Sequence, residues 1–396
     1  MNIAILGYGT IGSGVYELFT TNAENVAEKA GECIKVKRVL DLRDFPGDPA
    51  ESIITHDFKD IADDPEIDVV VETMGGVRPA YAFVKECLEK GKSVCTSNKE
   101  LVAAYGAELL AIAGKNNINF LFEAAVGGAI PIIRPINESF SADEIVEICG
   151  IVNGTTNYIL TKMDRDNADF SAVLREAQDK GYAERNPEAD VEGHDAGRKI
   201  AILSSLAVGA QVDYEDVYME GITKISAADF KYAHQLNRAI KLIATMKRTE
   251  EGIYAYVSPV MVHEDNPVYN VNGVYNGILV KGKYSGKIMF YGRGAGKLPT
   301  ASAVAADVVE CVRHRSSLTI LWDTAKKELA DMGTLKNKFM VRVPENEAKA
   351  AVEIFGNIKE LKSEGPEYAF VTELMREKDF AEKAKKLTVI NRIRVE

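Results

Sequence analysis

Three glycines near the start of the chain have the spacing Gly7-x-Gly9-x-x-Gly12, directly after an apolar run and before a helical pattern. In a strand–turn–helix unit the first glycine permits a tight turn and the second lets the backbone approach a pyrophosphate. The third lets the helix pack closely on the strand. The free N–H groups of the first helical turn, from Thr10 and Ile11 onward, attract phosphate oxygens. This context favours a dinucleotide-binding fold over a plain glycine-rich turn.

Short apolar runs alternate with helical periods over residues 1–125. The predicted strands are Ile3–Leu6, Ile34–Leu40, Asp68–Glu72, Ser93–Thr96 and Asn119–Glu123, and the helices between them include Pro79–Lys90 and Ala103–Asn116. Alternation at this spacing predicts an α/β fold, in which a doubly wound, Rossmann-type parallel sheet carries helices on both faces.

The pattern changes over residues 130–290, which suit an α+β domain with an antiparallel sheet. The predicted strands there are Glu144–Asn153, Ile253–Val257, Ile278–Lys281 and Lys287–Tyr291, and the helices are Asn157–Arg165, Phe170–Lys180 and Asp195–Val208. Residues 297–330 return to a helical pattern.

The C-terminal residues 335–396 have the order strand, helix, strand, strand, helix, strand, which is the βαββαβ order of small regulatory modules. The predicted elements are Lys338–Val343, Glu345–Phe355, Ile358–Lys362, Tyr368–Glu373, Asp379–Lys386 and Val389–Val395.

The chain carries 48 Lys and Arg against 59 Asp and Glu, a net charge of −11. An acidic chain repels phosphate backbones and anionic lipid, so we expect no general binding to nucleic acid or membrane surfaces. The five cysteines are odd in number and include no Cys-x-x-Cys pair, which argues against a disulfide framework or a zinc site and favours a cytoplasmic location. We also expect no secretory signal, because the chain opens on the strand-like run Met1–Leu6.

The identity of the nucleotide depends on the end of the second strand. Asp41 stands where a carboxylate would accept hydrogen bonds from a ribose 2′-hydroxyl, which favours NAD. Arg43 stands two residues later and suits a 2′-phosphate instead, while a plain exposed turn explains both residues equally well. The sequence therefore predicts NAD(P) without choosing between its two forms.

Carboxylates are dense between Gly181 and Lys199. Gly181 is expected to end one helix. Asp195 and Lys199 are four residues apart and share one face of the next helix. One interpretation is an acidic surface loop beside a solvated ion pair. The other is a pocket wall, which is favoured because two glycines and Pro187 fix the loop next to a strongly apolar helix.

The run Ala177–Lys199 resembles the signature of the homoserine dehydrogenase family. Five further stretches resemble the family in the family's order, so that the likeness covers residues 1 to about 325: they are Val71–Gly76, Thr96–Lys99, Phe122–Pro131, Asn153–Tyr158 and Phe290–Ala301. The resemblance implies NAD(P)-dependent interconversion of L-aspartate 4-semialdehyde and L-homoserine, in threonine and methionine biosynthesis. It also implies a homodimer.

The resemblance assigns roles to individual residues. Lys199 would protonate the substrate oxygen, and Asp195 would orient Lys199 and contact the substrate. Glu184 would bind the substrate's amino group, and Lys99 would act beside cofactor and substrate. The implied cofactor contacts outside the glycine motif are Arg43, Thr73, Ser97, Lys99, Gly181 and Gly296. The implied Na⁺ ligands are mostly main-chain carbonyls, at the positions Glu123, Val126, Gly128 and Ile130.

The expected domains are a nucleotide-binding domain of residues 1–130 with about 297–330, a substrate-binding and dimerisation domain of 131–296, and a module of 335–396. The module resembles an ACT domain, but the turn Val343–Asn346 lacks the usual glycine, so the module is either structural or binds an unusual effector. A smaller departure is Asn186, which stands before Pro187 where the family more often has aspartate.

Two other functions stay open at this point. One is another two-domain amino-acid dehydrogenase, against which the ordered run Gly181–Lys199 argues. The other is a non-catalytic, nucleotide-sensing regulator, which would be expected to have lost part of the catalytic set.

Overall fold

The computed structural model describes residues 1–315, 320 and 322–396, and the chain forms two compact units. The first comprises Met1–Ile145, Ala201–Glu215 and Gly292–Lys327, and the second comprises Val146–Ile200, Asp216–Tyr291 and Glu328–Glu396. The division into three domains given above stays a prediction. Within the described ranges, no helix has both the length and the apolar character that a bilayer span requires.

Six parallel strands form the sheet of the first unit. They are β1 (Asn2–Leu6), β2 (Lys35–Leu40), β3 (Ile54–Thr55), β4 (Val69–Glu72), β5 (Ser93–Thr96) and β6 (Phe120–Leu121). Their order, β3-β2-β1-β4-β5-β6, is that of a doubly wound sheet and confirms the predicted α/β fold. The order reverses between β1 and β4, and ligands bind such sheets at the carboxyl ends of the strands at this point.

Six helices lie between these strands in the chain or directly after them: α1 (Thr10–Thr21), α2 (Ala23–Ala30), α3 (Lys59–Ala62), α4 (Ala80–Glu89), α5 (Lys99–Lys115) and α6 (Ile133–Glu138). A later helix, Lys297–Arg313, belongs to this unit as well. The start predicted for α5, Ala103, is wrong, because the Asn98 side chain accepts the Leu101 N–H and caps the helix one turn earlier. The strand predicted over Asn119–Glu123 is also too long, since Glu123–Ala125 is a 3₁₀ helix.

The next part of the chain supplies most of the second unit, but its stretches Ala201–Glu215 and Gly292–Lys327 belong to the first. In chain order its elements are β7 (Ile145–Ile151), α7 (Gly154–Asp166), α8 (Phe170–Asp179), α9 (Glu188–Val191), α10 (His194–Val208), β8 (Ala210–Gln211), β9 (Tyr218–Met219), α11 (Ala227–Gln235), β10 (Arg238–Thr249), β11 (Gly252–His263), β12 (Tyr275–Gly282), β13 (Gly286–Arg293), α12 (Lys297–Arg313) and β14 (Asp323–Lys326). The helical pattern predicted over 297–330 is confirmed for α12 and is wrong for residues 323–326, which form β14. Residues 316–319 and 321 of this range lie outside the described residues.

The C-terminal elements are β15 (Lys336–Pro344), α13 (Ala348–Phe355), β16 (Ile358–Glu360), β17 (Glu367–Thr372), β18 (Met375–Arg376), α14 (Glu377–Ala384) and β19 (Asn391–Val395). Apart from the two-residue β18, their order is the predicted βαββαβ. The relation of this segment to ACT domains stays a prediction.

One eleven-stranded sheet contains both the middle strands and the C-terminal strands. Its main path is β13-β12-β7-β10-β11-β19-β15-β17-β16. The expected antiparallel sheet is in fact mixed, because β11 pairs in parallel with β19. The last strand of the chain thus joins the C-terminal segment to the middle strands by main-chain hydrogen bonds.

Candidate active site

The glycine motif occupies the turn between β1 and α1. Gly7 has a φ of +94°, a conformation that side chains other than glycine rarely adopt. A Cβ atom added at Gly12 would lie 1.9 Å from the Gly7 carbonyl oxygen, whereas nothing lies within 4 Å of one added at Gly9. The turn therefore needs its first and third glycines for its own packing, and its second glycine leaves the backbone accessible to a ligand.

This difference gives a test with a matched control. Gly12→Ala is expected to lower the free energy of unfolding by about 1–3 kcal/mol, because the turn must open to admit the methyl group. Gly9→Ala is expected to cost at most ~1 kcal/mol. Both variants should bind NAD(P)H less tightly. Thermal unfolding and fluorescence titration with NAD(P)H measure the two effects, and equal stability losses for both variants would contradict the role given to Gly12.

Thr73 follows β4 and braces the glycine turn. Its hydroxyl donates to the Gly7 carbonyl oxygen at 2.9 Å, and its backbone N–H donates to the Leu6 carbonyl oxygen. The two predicted residues Thr73 and Gly7 are thus brought together at the point where the strand order reverses. Ser97 and Lys99 lie after β5, where the Ser97 N–H donates to the Glu72 carbonyl oxygen and Lys99 is the first residue of α5.

Glu72 was assigned no role from the sequence, yet it organises this edge of the sheet. Its buried carboxylate accepts hydrogen bonds from the Thr96 hydroxyl at 2.6 Å and the Met74 N–H at 2.8 Å. Burial raises the pKa of Glu72. A glutamate at the end of an apolar strand was the available signal, because a carboxylate is seldom fully buried without partners.

Asp41 and Arg43 form an ion pair after β2, with Arg43 Nε and Asp41 Oδ1 2.9 Å apart. The Arg43 guanidinium holds the pKa of the Asp41 carboxyl at about 2, and the other carboxylate oxygen accepts the Tyr8 N–H at 2.8 Å. Both residues line a cavity of about 520 Å³ that Gly7, Gly9 and Thr73 also line. The glycine turn and the Asp41–Arg43 pair therefore share one cavity of the size that a nucleotide moiety needs.

The segment after β6 is fixed by buried carboxylates. Glu123 accepts the backbone N–H groups of Ile132, Ile133 and Arg134 at 2.6–2.8 Å, and so caps α6. Asp307 of α12 accepts the Glu123 N–H and the Arg134 guanidinium. Burial, followed by repulsion from Glu123, raises the pKa of Asp307 to about 8.

The loop that this network holds contains the predicted Na⁺ ligands. Val126, Gly128 and Ile130 are buried like Glu123. A Cβ atom added at Gly128 would lie 2.6 Å from the Gly294 carbonyl oxygen, so the loop packs tightly on the glycine-rich segment that also contains Gly296.

In the second unit, Lys199 and Asp195 lie on the buried face of α10. Lys199 Nζ is 2.7 Å from Asp195 Oδ2 and also donates to the Val152 carbonyl oxygen at 2.7 Å. Lys199 is 8% exposed and Asp195 is 3% exposed. The interpretation as a solvated surface ion pair is therefore wrong, because both side chains are buried.

The carboxylate loop before α10 is held at several points. Gly181 follows α8 with a φ of +71°, as expected of a residue that ends a helix. The Thr155 hydroxyl donates to the Tyr182 carbonyl oxygen at 2.6 Å, and the Gln178 amide donates to that of Glu184. The Glu184 side chain is exposed. Asp190, which was assigned no role from the sequence, accepts the side-chain amide of Asn153.

Comparison with known proteins bears on both units. Residues 7–123 match the model of the NAD-binding domain of homoserine dehydrogenase, and residues 131–309 match that of homoserine dehydrogenase. The chain belongs to the homoserine dehydrogenase family. It is an NAD(P)-dependent oxidoreductase that acts on a CH–OH group, and the two alternative functions are not favoured.

Individual relatives agree with this assignment. A homoserine dehydrogenase from Mycobacterium tuberculosis is 41% identical over 358 residues, covering 86% of this chain and 79% of the relative. The crystal structure of one from Thiobacillus denitrificans has a TM-score of 0.92 at 36% identity, covering 100% of this chain and 98% of that chain. A hyperthermophilic archaeal homoserine dehydrogenase in complex with NADPH has a TM-score of 0.66 at 27% identity, covering 78% of this chain and 96% of that chain.

Proposed function

We propose that Lys199 is the proton donor when the chain reduces L-aspartate 4-semialdehyde to L-homoserine. As a hydride reaches the aldehyde carbon, negative charge develops on the aldehyde oxygen, and an ammonium group can stabilise and then protonate it. The observation that carries the proposal is the fixed position of the Lys199 ammonium. Asp195 and the Val152 carbonyl each hold it at 2.7 Å in a buried setting, where a charge acts strongly.

Other residues take supporting roles in the proposal. Asp195 orients Lys199 and contacts the substrate. Glu184 binds the substrate's amino group, since its side chain is exposed and a carboxylate suits an ammonium. Lys99 acts beside cofactor and substrate from the start of α5, where Asn98 fixes the helix end.

Bound NAD(P)H supplies the hydride. The residues of this chain that suit it are the glycine turn with the first turn of α1 for the pyrophosphate, and Asp41 with Arg43 for the ribose. Thr73, Ser97, Gly181 and Gly296 complete the proposed cofactor contacts. The accessible backbone at Gly9 supports this fit, because the space a side chain would fill is open. The proposal includes both NAD and NADP, since Asp41 suits the ribose 2′-hydroxyl of NAD and Arg43 suits the 2′-phosphate of NADP.

Four further properties belong to the proposal. A Na⁺ ion is held by the carbonyl oxygens of Glu123, Val126, Gly128 and Ile130, and replacing Na⁺ by choline in the assay tests it. The chain also forms a homodimer. The exposed apolar side chains of Ile288 and Tyr291 on β13 support this proposal, and sedimentation equilibrium tests it.

The C-terminal segment is an ACT-like module, and the enzyme is cytoplasmic. Calorimetric titration with amino acids and cell fractionation test these two proposals.

The function is tested by following NAD(P)H absorbance in both directions. Aspartate 4-semialdehyde should drive oxidation of NADH or NADPH, and homoserine should drive the reverse reaction. Because the reverse reaction needs a neutral lysine amine or a water relay, its kcat should rise between pH ~7 and pH ~10. Inactivity with both cofactors would overturn the substrate assignment, and a flat profile would overturn the role of Lys199. An unrelated semialdehyde serves as the control for non-specific reduction.

A further inference from the structure

Asn153, at the end of the segment that follows β7, stands between two carboxylates of the site. We propose that Asn153 is a positioning residue for the reaction, because its amide group fixes the carboxylate that in turn holds Lys199. This inference rests on the proton-donor role proposed for Lys199.

The Asn153 amide donates hydrogen bonds to two carboxylates that lie on different helices. Asn153 Nδ2 donates to Asp190 Oδ1 of α9 at 2.7 Å and to Asp195 Oδ2 of α10 at 2.9 Å. Asp195 Oδ2 is also the oxygen that Lys199 Nζ contacts at 2.7 Å. One carboxylate oxygen thus receives the amide and the ammonium together, and a displacement of the amide would change the direction of the Lys199 bond.

The other end of the amide determines its orientation. Asn153 Oδ1 accepts the Thr156 N–H at 2.9 Å and the Thr156 hydroxyl at 2.9 Å, and so caps α7. Only the carbonyl end of an amide can accept a backbone N–H, so the NH₂ group must face the carboxylates. Asn153 is 6% exposed, which shields these bonds from competition with water.

The neighbouring backbone joins the same network. Val152, the residue before Asn153, supplies the carbonyl oxygen to which Lys199 donates at 2.7 Å. The Val152 carbonyl therefore holds Lys199 directly, and the Asn153 amide holds Asp195. Asn153 is thus a neutral donor to one acid of α9, Asp190, and to one acid of α10, Asp195.

The decisive variant is Asn153→Asp. Aspartate caps a helix as well as asparagine does, so the start of α7 is preserved. In its ionised form, which the alkaline pH of the oxidation assay favours, it cannot donate, and it then places a third carboxylate beside Asp190 and Asp195. That charge stabilises the Lys199 ammonium, so the alkaline rise of homoserine oxidation should move up by about 1–3 pH units. At pH 8 kcat should fall by about tenfold or more, with a smaller change in the KM for homoserine.

A matched control perturbs the same helix without reaching the network. Asn167 ends α7 with a φ of +48°, and Asn167→Ala strains that end of the helix. Asn167→Ala should lose thermal stability yet keep the wild-type pH profile. If Asn153→Asp keeps both the wild-type kcat and the wild-type pH profile, the residue is only a helix cap and the inference is overturned.

Lys199→Ala, measured in parallel, separates the inference from the proposed function. An inactive Lys199→Ala with an unchanged Asn153→Asp overturns the inference alone, whereas a fully active Lys199→Ala overturns the proton-donor role. Should Asn153→Asp not fold, Asn153→Ser takes its place, because serine keeps the cap and offers one donor. A lowered kcat at unchanged thermal stability then supports the inference, and an unchanged kcat overturns it.

Discussion

Replacing Lys199 by alanine should lower kcat for aspartate 4-semialdehyde reduction by about 10²–10⁴-fold, the range that a positioned acid contributes. The ammonium is buried and held at 2.7 Å by Asp195, so water cannot simply take its place in the same geometry. Steady-state kinetics measure the loss. NAD(P)H binding, followed separately by fluorescence, should change little, because Gly7, Gly9 and Asp41, which line the proposed cofactor cavity, are unaltered.

Lys162→Ala is the matched control for that loss. Lys162 also pairs with an aspartate four residues away, Asp166, at 2.5 Å, but on a more exposed part of α7. Its removal should leave kcat near the wild-type value, since solvated ion pairs contribute little. The proton-donor role fails if Lys199→Ala retains wild-type turnover, or if both variants lose activity to the same extent.

The parallel sheet was predictable from the sequence because its signals are local. The strands β1, β4 and β5 are short apolar runs that a parallel sheet buries on both faces, and the glycine spacing marks the turn after the first of them. The strand order follows from the connection rules of such sheets. The carboxylate loop was similarly visible, because Gly181 and the spacing of Asp195 and Lys199 are local features.

The strand β10 was missed for a physical reason. Its sequence, Arg238–Thr249, contains alanine, lysine, methionine and arginine, which favour helices, and residues 240–246 are buried on both faces. No polar–apolar alternation therefore marks it as a strand. Pairing with β7 and β11 over much of its length overrides the local preference.

The supporting contacts of the candidate site could not be predicted from the sequence either. Asn153 was visible only as part of a motif, since its bonds to Asp190 and Asp195 join residues about 40 positions apart. Glu72 depends in the same way on a hydroxyl from the neighbouring strand. Local spacing in the sequence identifies the proposed catalytic residues. The residues that position them can be identified only from the tertiary structure.

The C-terminal segment offers the largest expected effect on stability. Arg342 of β15 is 7% exposed and contacts Asp229 of α11 and Glu367 of β17, each at 2.8 Å. Arg342→Met keeps most of the side-chain volume but leaves two buried carboxylates without their cation. The free energy of unfolding should fall by about 3–5 kcal/mol, the cost of breaking a buried ion pair on one side. Urea unfolding followed by circular dichroism measures this change.

Arg376→Met removes a comparable contact at the surface. Arg376 pairs with Asp379 at 2.8 Å, but both side chains are well exposed, so water replaces the lost contact and stability should hardly change. A similar loss for both variants would show that burial does not set the energy of the Arg342 cluster. A large loss of unfolding free energy for Arg342→Met alone would mean that the buried ion pairs of Arg342 hold the C-terminal strands to α11. Since β19 also pairs with β11, the segment would then unfold together with the middle strands.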